Sequence, residues 1–337
     1  MSSFTKSTTK ELVNLDFIRA IAIGMVLISH LPISSDFIPE QYDLTSLGSL
    51  GVFIFFLHTT CVLMLSLDRQ KLESKKQLVM HFFIRRIMRI YPLSIVAVLS
   101  VSCIAILSGD IFDFRVIIAN LLLIQNLTQS PSIPATLWSL PYEVQMYLVL
   151  PFFFLMLNKV QERKIFVVFA IWILAVFIIY VGALRGHNID LIKFSPLFIS
   201  GAITFILYKL NIKKLNPSYL ILYCVALFMF FPVAVSFGII SLVLGWPAVL
   251  LLGLILAFSV EIKFALLAKL SKIVAQYSYA IYLVHFPLID LIFRQADLQF
   301  ELLRWTAFFL LLSLFSYLLH QWVELPCIRI GKKWTAR

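Results

Sequence analysis

The sequence predicts an all-α integral membrane protein, a polytopic bundle of about ten transmembrane helices with both termini in the cytoplasm. Of the 337 residues, 61% are hydrophobic and only 13% are charged, with a mean hydropathy of +0.97. Soluble globular domains do not have this balance. The other two observations are the recurrence of long apolar runs and the concentration of basic residues in alternate connections between them.

Ten apolar runs are long enough to cross about 30 Å of hydrocarbon. They lie at 15–32, 46–67, 92–108, 142–157, 165–184, 194–209, 218–236, 238–259, 273–293 and 302–323. An eleventh run, 111–128, is interrupted by polar residues that include Asp113, Arg115 and Asn120, so its apolar core is shorter than a span requires. We therefore expect a re-entrant or interfacial segment near 111–128.

The basic residues predict the topology. If 111–128 does not cross, the connections on one side carry 22 Lys or Arg and those on the other side carry 5. The positive-inside rule places the richer set in the cytoplasm. This divides the chain into a cytoplasmic tail at 1–14, a transmembrane domain at 15–325 and a basic cytoplasmic tail at 326–337.

The formal net charge of +11 follows from this topology and from attraction to anionic lipid, so we expect no nucleic-acid partner. The first apolar run contains Arg19 and lacks a small-residue cleavage pattern, which indicates an uncleaved anchor rather than a signal peptide. The four cysteines have no CxxC or metal-ligand spacing. We therefore expect neither a disulfide framework nor a metal site.

Three polar residues share one face of the first predicted span. Eleven residues of α-helix turn through about 1100°, so Arg19 and His30 lie on one side of the helix, about 16 Å apart, and Asp16 is close to the same stripe. Polar side chains in a span usually face the bundle interior and have a function. The alternative is that Arg19 reaches the cytoplasmic headgroups paired with Asp16 while His30 sits at the outer interface.

A second intramembrane histidine lies in the segment YSYAIYLVHFPL. Ser278, Tyr282 and His285 share a helix face at spacings of four and three, and His285 lies in the outer half of its span, as His30 does. This depth makes His285 a candidate site residue, although a hydrogen-bonded packing role would also explain it.

A carboxylate opens the fourth predicted span, in LWSLPYEVQMYLVLP. Glu143 at this position is explained by the helix dipole alone. The functional alternative is that Glu143 orients a histidine and stabilises its imidazolium.

Three arginines precede the third span, in HFFIRRIMRIYP. Such a basic segment commonly enforces orientation and contacts anionic lipid. Arg85 and Arg89 are also i,i+4 neighbours next to Arg86, an arrangement that suits bidentate phosphate binding. With Arg19 at the same membrane face, the cluster could receive a polyanionic cytoplasmic ligand.

Four segments, in this order, resemble acyltransferase family 3, the polytopic acyltransferases of cell-envelope glycans. LDFIRAIAIGMVLISH resembles the family opening, in which an arginine and a histidine stand eleven positions apart. LGSLGVFIFFL, LWSLPYEVQMYLVLP and YSYAIYLVHFPL resemble the later landmarks, and the resemblance covers roughly 15–325. Where many members read LSGFL, this chain reads Leu57 to Cys61 as LHTTC, which includes His58, to which no role is assigned.

The resemblance implies transfer of an acyl group, commonly acetyl, from cytoplasmic acyl-CoA to a hydroxyl of a saccharide or lipid-linked glycan. It implies a multi-pass protein of the bacterial inner membrane, with membrane lipids as neighbours and no metal cofactor. His30 would be the general base or would carry the acyl group itself, with Glu143 and His285 orienting it or stabilising the oxyanion. Four arginines would bind the CoA phosphates: Arg19, Arg85, Arg86 and Arg89.

Two other classes of protein also accommodate intramembrane histidine and arginine. A secondary transporter would move its substrate across sealed vesicles without consuming acyl-CoA. A non-catalytic membrane scaffold would keep its function when His30 is replaced by alanine.

Overall fold

The structure is a computed structural model that describes residues 12–33, 39, 41–70, 74–109, 113–160, 163–186, 190, 192–212, 214–295 and 300–336. Within these ranges the regular secondary structure is helical, and the one isolated β-bridge joins Leu215 to Ser259. The predicted all-α class is thus confirmed. The twelve α-helices are α1 (Val13–His30), α2 (Leu44–Arg69), α3 (Lys75–Leu107), α4 (Phe114–Leu121), α5 (Leu140–Val160), α6 (Lys164–Leu184), α7 (Ser195–Lys209), α8 (Pro217–Ser236), α9 (Ser241–Phe258), α10 (Ala265–Ile289), α11 (Glu301–Leu319) and α12 (Leu325–Trp334).

In the described part of the chain, eight helical stretches are long and apolar enough to cross a membrane. They are Val13–His30, Leu44–Arg69, Lys75–Leu107, Ala135–Val160, Lys164–Leu184, Pro217–Ser236, Ser241–Phe258 and Glu301–Trp334. The prediction of ten spans adds α7, which has 15 residues, and α10, which has 25 residues but carries polar side chains along its length. The number of spans and the side on which the termini lie stay predictions.

The segment near 111–128 contains only a short helix. α4 has eight residues, about 12 Å of helix, which is too short to cross the hydrocarbon. The chain then turns back: the Asn120 amide donates to the carbonyl of Pro131 at 2.9 Å and its oxygen accepts the Ile133 N–H at 2.8 Å. Its re-entrant or interfacial placement stays a prediction.

α2 forms the centre of the bundle. In its apolar stretch 78% of the residues are buried, against 17% in α6. α1 packs against both α2 and α10, and α2 also contacts α5, α7, α8 and α9. Arg19 and His30 of α1 contact Ser278 and His285 of α10, so the polar stripe of α1 faces protein rather than lipid.

Glycine permits the close approach of α1 and α2. A Cβ atom at Gly51 would lie 2.6 Å from the Ala22 carbonyl oxygen and 2.8 Å from Val26 Cγ2. We expect Gly51→Ala to lower the free energy of unfolding by about 1–3 kcal/mol, because backbone cannot yield as a side chain can. The Cβ of Gly24→Ala would meet nothing within 4 Å, so this control should leave stability unchanged or raise it by up to about 1 kcal/mol. Thermal unfolding in detergent measures both variants, and equal unfolding temperatures would contradict the packing described.

The chain after α11 folds back onto α3. A π-helical segment, His320–Glu324, connects α11 to α12. α12 packs against α3, where Gly331 meets Met88, and the Arg85 Nε donates to the Thr335 hydroxyl at 2.7 Å. The described residues of the predicted tail 326–337 are therefore largely helical, and their cytoplasmic location stays a prediction.

Candidate active site

The two predicted site histidines come together between α1 and α10. His30 is the last residue of α1 and is half-buried, whereas His285 is fully buried. His285 Nε2 lies 3.4 Å from His30 Nδ1, and the ring centroids are 5.2 Å apart. The equal depth inferred from the sequence thus corresponds to a direct contact between the two rings.

Backbone carbonyls set the protonation pattern of this histidine pair. His30 Nδ1 is 2.8 Å from the Val26 carbonyl oxygen, and His285 Nδ1 is 3.0 Å from that of Ile281. Because a carbonyl oxygen only accepts, each neutral ring carries its proton on Nδ1. The one N–H of His30 points to the Val26 carbonyl, so the lone pair of His285 Nε2 lies 3.4 Å from an Nδ1 that is already bonded, and His30 Nε2 keeps its own lone pair. This nitrogen can take a proton from a hydroxyl or attack an acyl carbon.

Three of the four predicted phosphate-binding arginines line one cavity of about 100 Å³. They are Arg19 from α1 and Arg86 and Arg89 from α3. Arg19 is half-buried, and its Nε donates to the Ser278 hydroxyl on α10 at 2.7 Å. The remaining polar side chains of the cavity wall are His58, Thr59, Ser139, Glu143, Tyr147, Ser278, Tyr279 and Tyr282. This cavity, called the arginine cavity below, suits an anion with several phosphate oxygens.

The carboxylate of Glu143 lies in the arginine cavity. Its Oε1 accepts from the Tyr147 hydroxyl at 2.5 Å and from the Thr59 hydroxyl at 3.0 Å. The ring partner of His30 is His285 instead. Glu143 is predicted from the sequence to orient a histidine, but in the structure its carboxylate contacts Tyr147 and Thr59, which line the arginine cavity.

Arg85 points away from the other arginines. Its Nε donates to Thr335 at the end of α12, while Arg86 and Arg89 face the arginine cavity. The expected fork of Arg85 with Arg89 does not form around one ligand position. Arg86 and Arg89, together with Arg19, form the cluster instead.

Tyr282 stands between the arginine cavity and the histidine pair. It lines the cavity, and its ring centroid is 6.0 Å from that of His285. Its hydroxyl bonds to the Thr136 carbonyl and, at 2.8 Å, to the Ser139 hydroxyl. α1 and α10 contribute to both ends of the site, with Arg19 beside Ser278 at the arginine cavity and His30 beside His285 at the histidine pair.

Tyr147 and Thr59 are not among the residues predicted from the sequence, and both line the arginine cavity beside Glu143. Tyr147 is four residues after Glu143 on the same helix, a spacing that could have indicated the contact. His58 is buried and lines the arginine cavity. Among the described residues, no group of three or more His, Cys, Asp or Glu side chains could hold a metal ion.

The chain is similar in sequence to known acyltransferases. Residues 12–321 match the family model described as an acyltransferase domain. Over 171 residues the chain is 29% identical to acyltransferase MdmB of Streptomyces mycarofaciens, a match that spans 46% of this chain and 42% of that protein. No solved structure matches the chain. The match of the family model over nearly the whole chain shows that this protein belongs to acyltransferase family 3.

Proposed function

We propose that this protein transfers an acyl group, acetyl in the first instance, from cytoplasmic acyl-CoA to a hydroxyl of a cell-envelope saccharide, in the bacterial inner membrane. Its family makes it an acyltransferase with membrane helices. One observation carries the rest of the proposal. α1 and α10 run from the arginine cavity, which α2, α3 and α5 complete, to the histidine pair.

The arginine cavity supports an acyl-CoA donor. CoA carries phosphate groups at one end and its thioester at the end of a long flexible arm. Arg19, Arg86 and Arg89 offer guanidinium groups that bind phosphate oxygens in pairs. Glu143 offsets part of their charge, so the cavity does not hold three unbalanced cations when it is empty.

The length of α1 supports the same donor. Arg19 and His30 are eleven positions apart, which is about 16 Å of helix. An extended pantetheine arm is suited to that span. The thioester would pass Tyr282 to reach the histidine pair, with the acceptor hydroxyl approaching from the other side.

The tautomers of the histidine pair support general-base catalysis by His30. As the acceptor oxygen attacks the thioester carbon, His30 Nε2 takes the hydroxyl proton, and the new imidazolium is stabilised by His30 Nδ1–H donating to the Val26 carbonyl, with the lone pair of His285 Nε2 3.4 Å away. The tetrahedral intermediate then breaks its C–S bond, and the leaving CoA sulfur receives the proton from His30.

A second route leads to the same products. His30 Nε2 itself attacks the thioester carbon and the C–S bond breaks, with CoA leaving as the thiol by taking the Nδ1 proton of the acylated ring. The acceptor hydroxyl then attacks the acyl-imidazole, the C–N bond breaks, and the hydroxyl proton returns to the His30 ring. Release of one CoA per protein without acceptor would indicate this route. Direct transfer predicts no CoA release until acceptor is present.

The proposal is tested with purified protein in lipid nanodiscs and radiolabelled acetyl-CoA. We expect free CoA to appear together with labelled saccharide, and envelope glycans from a deletion strain to lack a substituent that returns on complementation. Unchanged glycans together with untouched acetyl-CoA would contradict the proposal. Substrate flux into sealed proteoliposomes without release of CoA would identify a transporter instead.

A further inference from the structure

A fully buried carboxylate lies behind the arginine cavity. Glu324 is the last residue of the π-helical segment His320–Glu324, and its side chain has no exposed surface. Its Oε2 is 2.8 Å from His320 Nδ1, and its Oε1 is 3.2 Å from a terminal nitrogen of Arg89. A buried charge is costly unless it is paired, so the carboxylate and Arg89 depend on each other.

The histidine is itself held in place. The Gln276 amide nitrogen is 3.3 Å from His320 Nε2, and the Tyr277 ring lies edge-on at 5.0 Å. An amide nitrogen donates, so His320 Nε2 accepts and Nδ1–H donates to Glu324. α10 therefore fixes His320, His320 fixes Glu324, and Glu324 fixes Arg89. A π-helical turn inside a helix is itself often associated with function.

This chain of contacts ends on a cation of the arginine cavity. Arg89 lines the cavity together with Arg19 and Arg86, and these like charges repel one another when no anion is bound. With a guanidinium nitrogen held by Glu324, Arg89 cannot turn away from its neighbours towards water. Pre-organised donors bind an anion more tightly because less ordering is needed on binding.

We propose that Glu324, supported by His320, is a positioning residue for the acyl donor: it holds Arg89 in the arginine cavity and so sets the affinity for the CoA phosphates. This inference rests on the proposed function. In this proposal the segment His320–Glu324 contributes to donor binding, in addition to connecting α11 to α12. A purely structural tie would affect stability and turnover without depending on Arg89.

The test compares the donor KM and kcat of the wild type with those of Glu324→Gln, Arg89→Gln and the double variant. We expect Glu324→Gln to raise KM for acetyl-CoA about tenfold with kcat changed less than twofold, since one charge-assisted contact is weakened. Because Glu324 acts through Arg89, the double variant should have the same KM as Arg89→Gln alone. The double variant leaves no buried charge unpaired, so a raised donor KM with little change in kcat can be measured in it even if a single variant does not fold.

A matched control is Glu301→Gln, which removes an exposed carboxylate at the other end of α11. It should leave both constants unchanged. Effects of Glu324→Gln and Arg89→Gln that multiply in the double variant, or a fall in kcat alone, would overturn the inference and leave the proposed function standing. Absence of any CoA-dependent transfer by the wild type would overturn the proposed function and this inference with it.

Discussion

Replacing His30 by glutamine is expected to lower kcat for acyl transfer by about a thousandfold. A hydroxyl is a poor nucleophile until its proton is removed, and His30 Nε2 is the lone-pair nitrogen that the hydrogen bonds of the histidine pair leave available. Glutamine keeps a polar side chain at the end of α1 but provides no base of suitable pKa. The donor KM should change little, because the arginine cavity is intact.

His81→Gln is the matched control for this experiment. His81 is also a buried histidine, but it lies on α3 and is not part of the histidine pair. The kcat of His81→Gln should stay within twofold of the wild-type value. Radiolabel transfer in nanodiscs measures both variants, and a His30→Gln protein that retains more than a tenth of the wild-type kcat would contradict the catalytic role.

Replacing Arg19 by glutamine is expected to raise the donor KM by about 10- to 100-fold. The estimate corresponds to losing one charged hydrogen bond worth roughly 1.5–3 kcal/mol in a site shielded from water. Arg19 is fixed by Ser278 and lines the arginine cavity, so its contact with phosphate needs little reordering. Arg19→Gln should weaken the binding of CoA and of acetyl-CoA to the same extent, because both molecules carry the same phosphates.

Arg85→Gln provides the comparison for Arg19→Gln. Arg85 belongs to the same basic segment as Arg86, but its guanidinium bonds to Thr335. The donor KM of the Arg85→Gln protein should therefore differ less than threefold from that of the wild type. Isothermal titration with CoA checks both variants, and an Arg85→Gln effect equal to that of Arg19→Gln would indicate that the basic segment acts only through its total charge.

The helical class and one face of α1 could be predicted because they depend on local features. Apolar runs and basic loops indicate membrane helices wherever they occur, and a helix fixes which residues share a face. Arg19 and His30 were singled out in this way. The sequence predicted only that His30 and His285 lie at a similar depth in the membrane. Their contact could not be predicted, because the pattern within one helix does not determine which other helix packs against it.

The arginines and carboxylates were harder to assign for the same reason. The sequence places Arg85, Arg86 and Arg89 on one helix, but which of them face the cavity depends on how α12 packs against α3. The position of Glu143 at the start of a helix suggested that it orients a histidine, whereas in the structure its carboxylate contacts Tyr147 and Thr59. Glu324 lies 181 residues after Glu143 in the sequence, and no local sequence pattern connects Glu324 to Arg89.

In the proposed reaction one donor molecule reaches from the arginine cavity to the histidine pair. Photolabelling with an acyl-CoA that carries a photoreactive group at the end of its acyl chain tests this reach, with labelled peptides identified by mass spectrometry. We expect labels on α1 and α10 around His30 and His285 that disappear in Arg19→Gln and under excess CoA. Labels confined to the lipid-facing helices α6 and α8, or labels at the histidine pair that are unaffected by excess CoA, would contradict it.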